Sequence, residues 1–194
     1  MNSVNANQRR VVAFGIGGAG CNVLSQLPTD ARGAAVESVA VNTDANALSK
    51  LRSIQTLQLG SSGEPAGAPE RGRMAAKATQ EAIELSLVGA ARLYLFAGLG
   101  GGTGTGAIAE IARIACFQGV SVRAFVTTPF AFEGERWMQR ALAGVAELRP
   151  WIEALEIVDN ERSMKRFALS NTWDQVLHSA NEELILRSGL KKRA

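Results

Sequence analysis

The chain has 194 residues, 46% hydrophobic and 20% charged, with a formal net charge of +3; this is an ordinary globular composition and excludes wholesale disorder. No apolar stretch approaches the roughly 20 residues that span a bilayer, and the first ten residues lack the apolar core of a signal peptide, so a cytoplasmic protein without a transmembrane segment is expected. Cys21 and Cys116 show no CxxC spacing and the chain has a single histidine, so reduced thiols are expected rather than a disulfide or a zinc site.

β-Branched and apolar runs predict strands over 11–16, 36–41, 54–59, 93–97, 120–126 and 155–158. Helical spacing predicts helices over 20–27, stopped by Pro28, and over the alanine-rich 72–87, then over 107–117 and 135–147. A last helix starts from an N-cap at Thr172 and stops near Gly189. The Gly- and Pro-rich stretch 60–72 reads as a loop near a ligand. Strands alternating with helices imply a single α/β domain with a three-layer, doubly wound, mostly parallel sheet of Rossmann-like type. The basic residues Arg187, Lys191, Lys192 and Arg193 read as a solvated helix end, and so mild a charge gives no reason to expect a nucleic-acid partner.

The richest motif is Gly98-Leu-Gly-Gly-Gly-Thr-Gly-Thr-Gly106, placed between an apolar strand and a helix. Glycine lets a polyanion come within hydrogen-bond distance of amide N–H groups, threonines add hydroxyls, and a helix N-terminus favours negative charge. A second loop, Gly15-Ile-Gly-Gly-Ala-Gly20, also sits between strand and helix. With Asp44 as a ribose acid it fits a dinucleotide fold, so an NAD(P)-binding protein is a live alternative. Neither loop runs on into Gly-Lys-Ser/Thr, which excludes a Walker-type site. Two glycine loops favour a nucleoside triphosphate over a dinucleotide, and a nucleotide-independent assembly module that keeps the loops as relics is the third option.

Together these motifs resemble the tubulin/FtsZ family. The run 98–106 is similar to its signature, Gly15-Ile-Gly-Gly-Ala-Gly-Cys-Asn22 to its first nucleotide loop, Val41-Asn-Thr-Asp-Ala-Asn-Ala-Leu48 to the segment after its second strand, and Thr128-Pro-Phe-Ala-Phe-Glu-Gly134 to its sugar-side loop. The resemblance spans 9–189 and is weakest over 53–69 and 155–172. It implies GTP or GDP as ligand, with Mg2+ an option beside the triphosphate. Gly17, Gly18, Cys21 and Asn22 are placed at the α and β phosphates. Gly101, Gly102, Thr103, Gly104, Thr105 and Gly106 are placed at the β and γ phosphates, with Gly100 beside them. Asp44 and Pro129 join the site, Glu133 binds the ribose, Arg136 or Arg140 lies near the sugar or base edge, Asn160 follows the sixth strand, and Asn181 reads guanine. Leu177 stands where the family usually has a phenylalanine on the base, and Ala68 opens Ala-Pro-Glu-Arg-Gly72 where Asn-Pro-Glu-x-Gly is common.

The same resemblance implies a division into a flexible N-terminus (1–8), a GTP-binding domain (9–170), a central-type helix (171–189) and a basic tail (190–194), without the family's C-terminal domain. It implies weak or no GTP hydrolysis alone, no catalytic residue within the chain, a full-length FtsZ-type partner or a homologous protein supplying the acidic loop, and a role as modulator or cap of FtsZ-type filaments. Read from the residues alone, His178 is structural, Trp137, Trp151 and Trp173 are core or interface anchors, and Glu133 with Glu135 suits helix capping as well as an acid pair.

Overall fold

A computed structural model describes residues 10–27, 36–167 and 172–190. The expectations for the N-terminus 1–8, for Lys191 to Arg193 and for the side chain of Trp173 lie outside the described residues.

Six strands form one wholly parallel sheet in the order β3-β2-β1-β4-β5-β6. They are β1 (Arg10–Ile16), β2 (Val36–Asn42), β3 (Gln55–Gln58), β4 (Ala90–Gly98), β5 (Ser121–Thr128) and β6 (Ala154–Asp159). The α-helices, in chain order, are α1 (Gly17–Gln26), α2 (Ala45–Ser49), α3 (Pro69–Ala78), α4 (Gln80–Ser86), α5 (Gly102–Phe117), α6 (Glu135–Leu148), α7 (Asn160–Phe167) and α8 (Trp173–Ser188). Side chains alternate across the pleat, so the sheet feeds two cores. Val12, Phe14 and Ile16 of β1 pack with Ala76, Ile83, Ile108, Ile111 and Val145, which places α3 to α6 on one face. Ala13, Phe96 and Phe125 pack with Val23, Leu24, Ala180 and Leu184, which places α1 and α8 on the other. Phe14, Phe96 and Phe125 are fully buried, each contributing about 1.5–3 kcal/mol of transfer free energy.

Strand order reverses between β1 and β4. The chain leaves β1 toward β2 and β3 on one side, and leaves β4 toward β5 and β6 on the other. In such sheets the crevice outside the carboxyl ends of the strands at that switch point is the natural ligand site.

The expected doubly wound parallel sheet is what forms, but several element boundaries differ; the helix expected over 20–27 begins at Gly17, so most of the first glycine loop is helix. The helix expected over 107–117 begins at Gly102, so most of the glycine run is helix rather than loop. Three glycines in a helix cost about 3 kcal/mol relative to alanine, and contact explains their presence. A methyl group on Gly102, Gly104 or Gly106 would lie 2.7, 2.3 or 1.8 Å from the backbone of Gly67, Gly98 or Pro69 respectively. Backbone packs on backbone there, and only hydrogen fits. Among residues 98–106 only Gly100 has a positive φ, +103°.

The helix expected over 72–87 is two helices, broken at Thr79, whose φ is −110° and ψ 17°. The Thr79 hydroxyl donates to the Ala75 carbonyl at 2.9 Å and accepts from the Gly60 amide at 2.8 Å. A side chain competing for backbone partners ends the first helix. Conversely, α3 starts inside the expected loop, with Pro69 in its first turn, where a missing N–H costs nothing. Helices α2 and α7 fall where no regular element was expected; α2 is short and capped by Asp44, and α7 lies in a segment of weak resemblance.

Candidate functional site

A cavity of about 430 Å³ opens at the switch point, within the size range of small-molecule sites. Its floor is the carboxyl edge of the sheet: Ile16 ends β1, Asn42 ends β2, Gly98 ends β4, and Thr127 lies one residue from the end of β5. One wall is Pro65, Ala66 and Gly67, the opposite wall is Pro129, Phe130, Glu133 and Trp137, and Asn160 and Leu177 close the far end.

Two helix N-termini meet at the floor. A methyl group on Gly17 would sit 3.1 Å from the Gly104 nitrogen, so the starts of α1 and α5 are in contact. Neither helix has a side-chain cap or an acidic residue in its first turn. The contrast with α2 is instructive, because there Asp44 Oδ1 accepts from the amides of Asn46 and Ala47 at 2.9 and 3.1 Å. The first amides of α1 and α5 lack intrahelical acceptors and face the cavity, and two macrodipoles add positive potential at one point. None of the described lining residues is lysine or arginine. Affinity for an anion here rests on amides, dipoles and hydroxyls.

Eleven residues expected in the site line this cavity: Gly17, Gly18, Asp44, Gly101, Gly102, Thr103, Gly104, Pro129, Glu133, Asn160 and Leu177. Thr103 is nearly buried and its hydroxyl bonds that of Thr43 at 2.8 Å. Glu133 serves as a cap, its Oε1 accepting from the Phe130 amide at 2.8 Å. Asn160 is 8% exposed and its Oδ1 has no protein partner, an unusual state for a buried acceptor.

The other expected residues do not line it. The Cys21 thiol is buried beneath α1, 3.4 Å from the Gly15 carbonyl, and burial pushes its pKa up to about 11, so it stays protonated. Asn22 is exposed on α1, outside the lining. Gly100 and Thr105 hold the turn together, the Gly100 amide donating to the Thr105 hydroxyl at 2.7 Å. Gly106 faces Pro69 of α3. Arg136 is exposed on α6, and the Arg140 guanidinium lies 5.7 Å from the ring centroid of Trp137, outside the lining. Asn181 is buried one turn beyond Leu177. His178 stays on the surface, 4.0 Å from Glu182.

Sequence reasoning missed Asn42, Ala66, Thr127, Phe130 and Trp137 as lining residues. The first and third were within reach, since residues ending parallel strands at a switch point face the ligand crevice. Trp137, expected as a core or interface anchor, is 37% exposed and packs over Gly100 and Gly101. Trp151 does anchor, against Phe117 with centroids 5.9 Å apart.

The tubulin/FtsZ family GTPase-domain model matches residues 10–167. The cell division protein FtsZ of Neisseria meningitidis serogroup A is 37% identical over 179 residues, covering 90% of this chain and 45% of its own length. That of Buchnera aphidicola subsp. Acyrthosiphon pisum is 36% identical over 199 residues, covering 95% and 52%. Among solved structures, an FtsZ dimer from M. jannaschii superposes with a TM-score of 0.83 at 29% identity, covering 94% of this chain and 54% of that one. The GTPγS-bound protofilament of CetZ2 from Haloferax volcanii superposes at 0.81 and 27% identity, covering 93% and 57%. The chain thus spans about half the length of the relatives it matches. No helix among the described residues is long and apolar enough to cross a membrane. With its parallel sheet, its two convergent helix N-termini and a family match running from β1 through α7, the chain belongs to the tubulin/FtsZ family and carries its GTPase domain.

Proposed function

We propose that this chain binds a guanine nucleotide in the cavity, phosphates on the floor and base at the Asn160–Leu177 end, and that it hydrolyses GTP weakly or not at all alone. The observation carrying this reading is the meeting of two uncapped helix N-termini in a cavity without a lining cation. A polyphosphate satisfies both sets of amides at once. Asn160 Oδ1, buried and unpartnered, supplies an acceptor for the 2-amino group of guanine, a donor that adenine, whose amine sits at C6, does not carry at that position. Leu177 lines the cavity and offers an aliphatic surface to the base.

Hydrolysis requires a group to orient or deprotonate water in line with the terminal phosphate. The two carboxylates lining the cavity each have an oxygen engaged by backbone amides, Asp44 on α2 and Glu133 on Phe130. A second protomer, a full-length FtsZ-type protein contributing acidic residues to this face, would complete the reaction, and docking there makes the chain a modulator or cap of such filaments. Mg2+ enters as companion of the triphosphate. Among the described residues no three His, Cys, Asp or Glu groups cluster as a metal site, which suits an ion held mainly by phosphate oxygens and water.

Calorimetric titration with GTP, GDP, ATP and NAD tests the binding. GTP and GDP are expected to bind at least about tenfold more tightly than the others; tighter binding of ATP or NAD sinks the proposal. Filament mass and GTP turnover of a full-length FtsZ, measured with excess of this chain, test the second part, which fails if neither changes.

A further inference from the structure

The segment before α3 is tied to the floor of the cavity through one side chain that does not line it. Thr43 lies between β2 and the Asp44 cap and is 3% exposed. Its hydroxyl accepts from the Ala66 amide at 3.0 Å and pairs with the Thr103 hydroxyl at 2.8 Å. Ala66 is part of the cavity wall, and Thr103 sits at the start of α5.

Counting protons fixes the direction of this chain. A hydroxyl has one hydrogen and two acceptor lone pairs. Thr43 already accepts from Ala66. If Thr103 donated to Thr43, the Thr43 hydrogen would be left buried without an acceptor, at the cost of an unmade hydrogen bond. If Thr43 donates to Thr103, every buried group is satisfied, and the one spare hydrogen is that of Thr103, which lines the cavity. The satisfied arrangement therefore runs from Ala66 N–H to the Thr43 hydroxyl, to the Thr103 hydroxyl, to an acceptor in the cavity. Hydrogen bonds in series polarise one another, and an anionic acceptor at the end strengthens each bond behind it.

We propose that Thr43 is a positioning residue: it turns the Thr103 hydroxyl into a donor toward a bound phosphate and couples that phosphate to the backbone at Ala66, so that binding tightens the 60–68 segment. This rests on the reading of the cavity as a nucleotide phosphate site. Further bonds keep the segment in register for the relay, Leu59 N to Asn42 O at 2.8 Å and Ala45 N to Gly63 O at 3.0 Å.

The test uses GTP titrations and amide exchange on the same protein. Thr43→Val keeps the shape and removes the hydroxyl, and is expected to weaken GTP about tenfold, the weight of one hydrogen bond to a charged group. Thr43→Ser is expected to stay within about twofold of wild type. Thr43→Val and Thr103→Val combined should cost little more than Thr103→Val alone, because they cut one chain. In the unmodified protein, GTP is expected to slow exchange of the Ala66 amide at least about tenfold. Wild-type GTP affinity retained in Thr43→Val, additive losses in the double variant, or an Ala66 amide indifferent to GTP would each overturn the proposal. If Thr43→Val does not fold, the exchange measurement decides alone. Absence of guanine-nucleotide binding by the wild type refutes the reading of the cavity instead, and is told apart in the first titration.

Discussion

At the end of the cavity where we place the phosphates the wall is backbone; at the end where we place the base it is side chain. Gly17 and Gly104 bring two helix starts together, Gly102 lets the 67–68 segment approach α5, and Gly106 and Gly72 let α3 lie against α5 with no Cβ between them. Asn160, Leu177 and Phe130, by contrast, come from α7, α8 and the loop after β5, and meet only because the sheet brings those segments to one edge. A backbone wall is rigid and intolerant, because the atom excluded by a glycine is a methyl against a carbonyl. A side-chain wall can be retuned by single substitutions without loss of the fold. Stability should therefore be concentrated at the first end and discrimination at the second.

The largest effect is expected from Gly106→Ala. The new methyl would lie 1.8 Å from the Pro69 carbonyl oxygen, and the gain in helix propensity, about 1 kcal/mol, does not offset moving one helix off another. A loss of about 3 kcal/mol or more is expected, seen as a fall in Tm of roughly 6–12 °C. A fall of less than about 2 °C would mean that the α3–α5 contact yields easily, and the contrast between the ends would break.

Gly18→Ala separates stability from binding at the same end. Gly18 is exposed, and a methyl there meets nothing within 4 Å. Folding is expected to be unharmed or improved by up to about 1 kcal/mol, while GTP binding falls at least about tenfold, since the methyl occupies space over the first amides of α1. Full affinity in this variant would move the phosphates away from α1.

At the base end, Asn160→Ala is expected to weaken GTP about fivefold, close to one net hydrogen bond of about 1 kcal/mol, with little change in Tm. Inosine triphosphate lacks the exocyclic amine, so wild type should prefer GTP over it, and the preference should vanish in the variant. A ratio of the two affinities unaltered by the substitution would take guanine off Asn160.

The same contrast governs what could be read from the sequence. The phosphate end was legible because its determinants are contiguous: a strand, glycines at tight spacing and a helix are visible in one window. Even so, the purpose of the glycines was only half visible. Positive φ accounts for Gly100, but Gly102, Gly104 and Gly106 exclude a Cβ from segments at 67, 98 and 69, and such contacts do not show in a local pattern. Thr79 ended a helix for the same reason, its rival partner being Gly60. The base end was reached largely through resemblance, because Asn160 and Leu177 carry no local mark of a shared site. Arg136 and Arg140, placed near the sugar or base edge by the resemblance, do not line the cavity, and Trp137 between them in sequence does.

The smallest effect probes how the base end is held. Arg187 of α8 donates to Glu156 of β6 at 3.1 Å and to Glu183 one turn back at 2.5 Å, joining the helix that carries Leu177 to the strand that leads into Asn160. Its side chain is 37% exposed, and its partners' are 43% and 27% exposed; solvent screening therefore limits the network to about 0.5–1 kcal/mol. The hydrogen bond to Glu183, with that to Glu156 behind it, raises the guanidinium pKa above its ordinary value. A group whose folded pKa is raised contributes fully below its unfolded value and loses that contribution only as pH climbs through the folded one, so the arginine's share is constant from pH 6 to 9. Arg187→Ala should lower Tm by roughly 1–4 °C at low salt and less at about 1 M salt, where the Debye length falls to about 3 Å. Amide exchange should quicken in α8 and stay unchanged in α1 and α5. Equal quickening in all three helices would mean that the two ends fold and loosen as one unit, and the division between a rigid phosphate floor and an adjustable base wall would have to be abandoned.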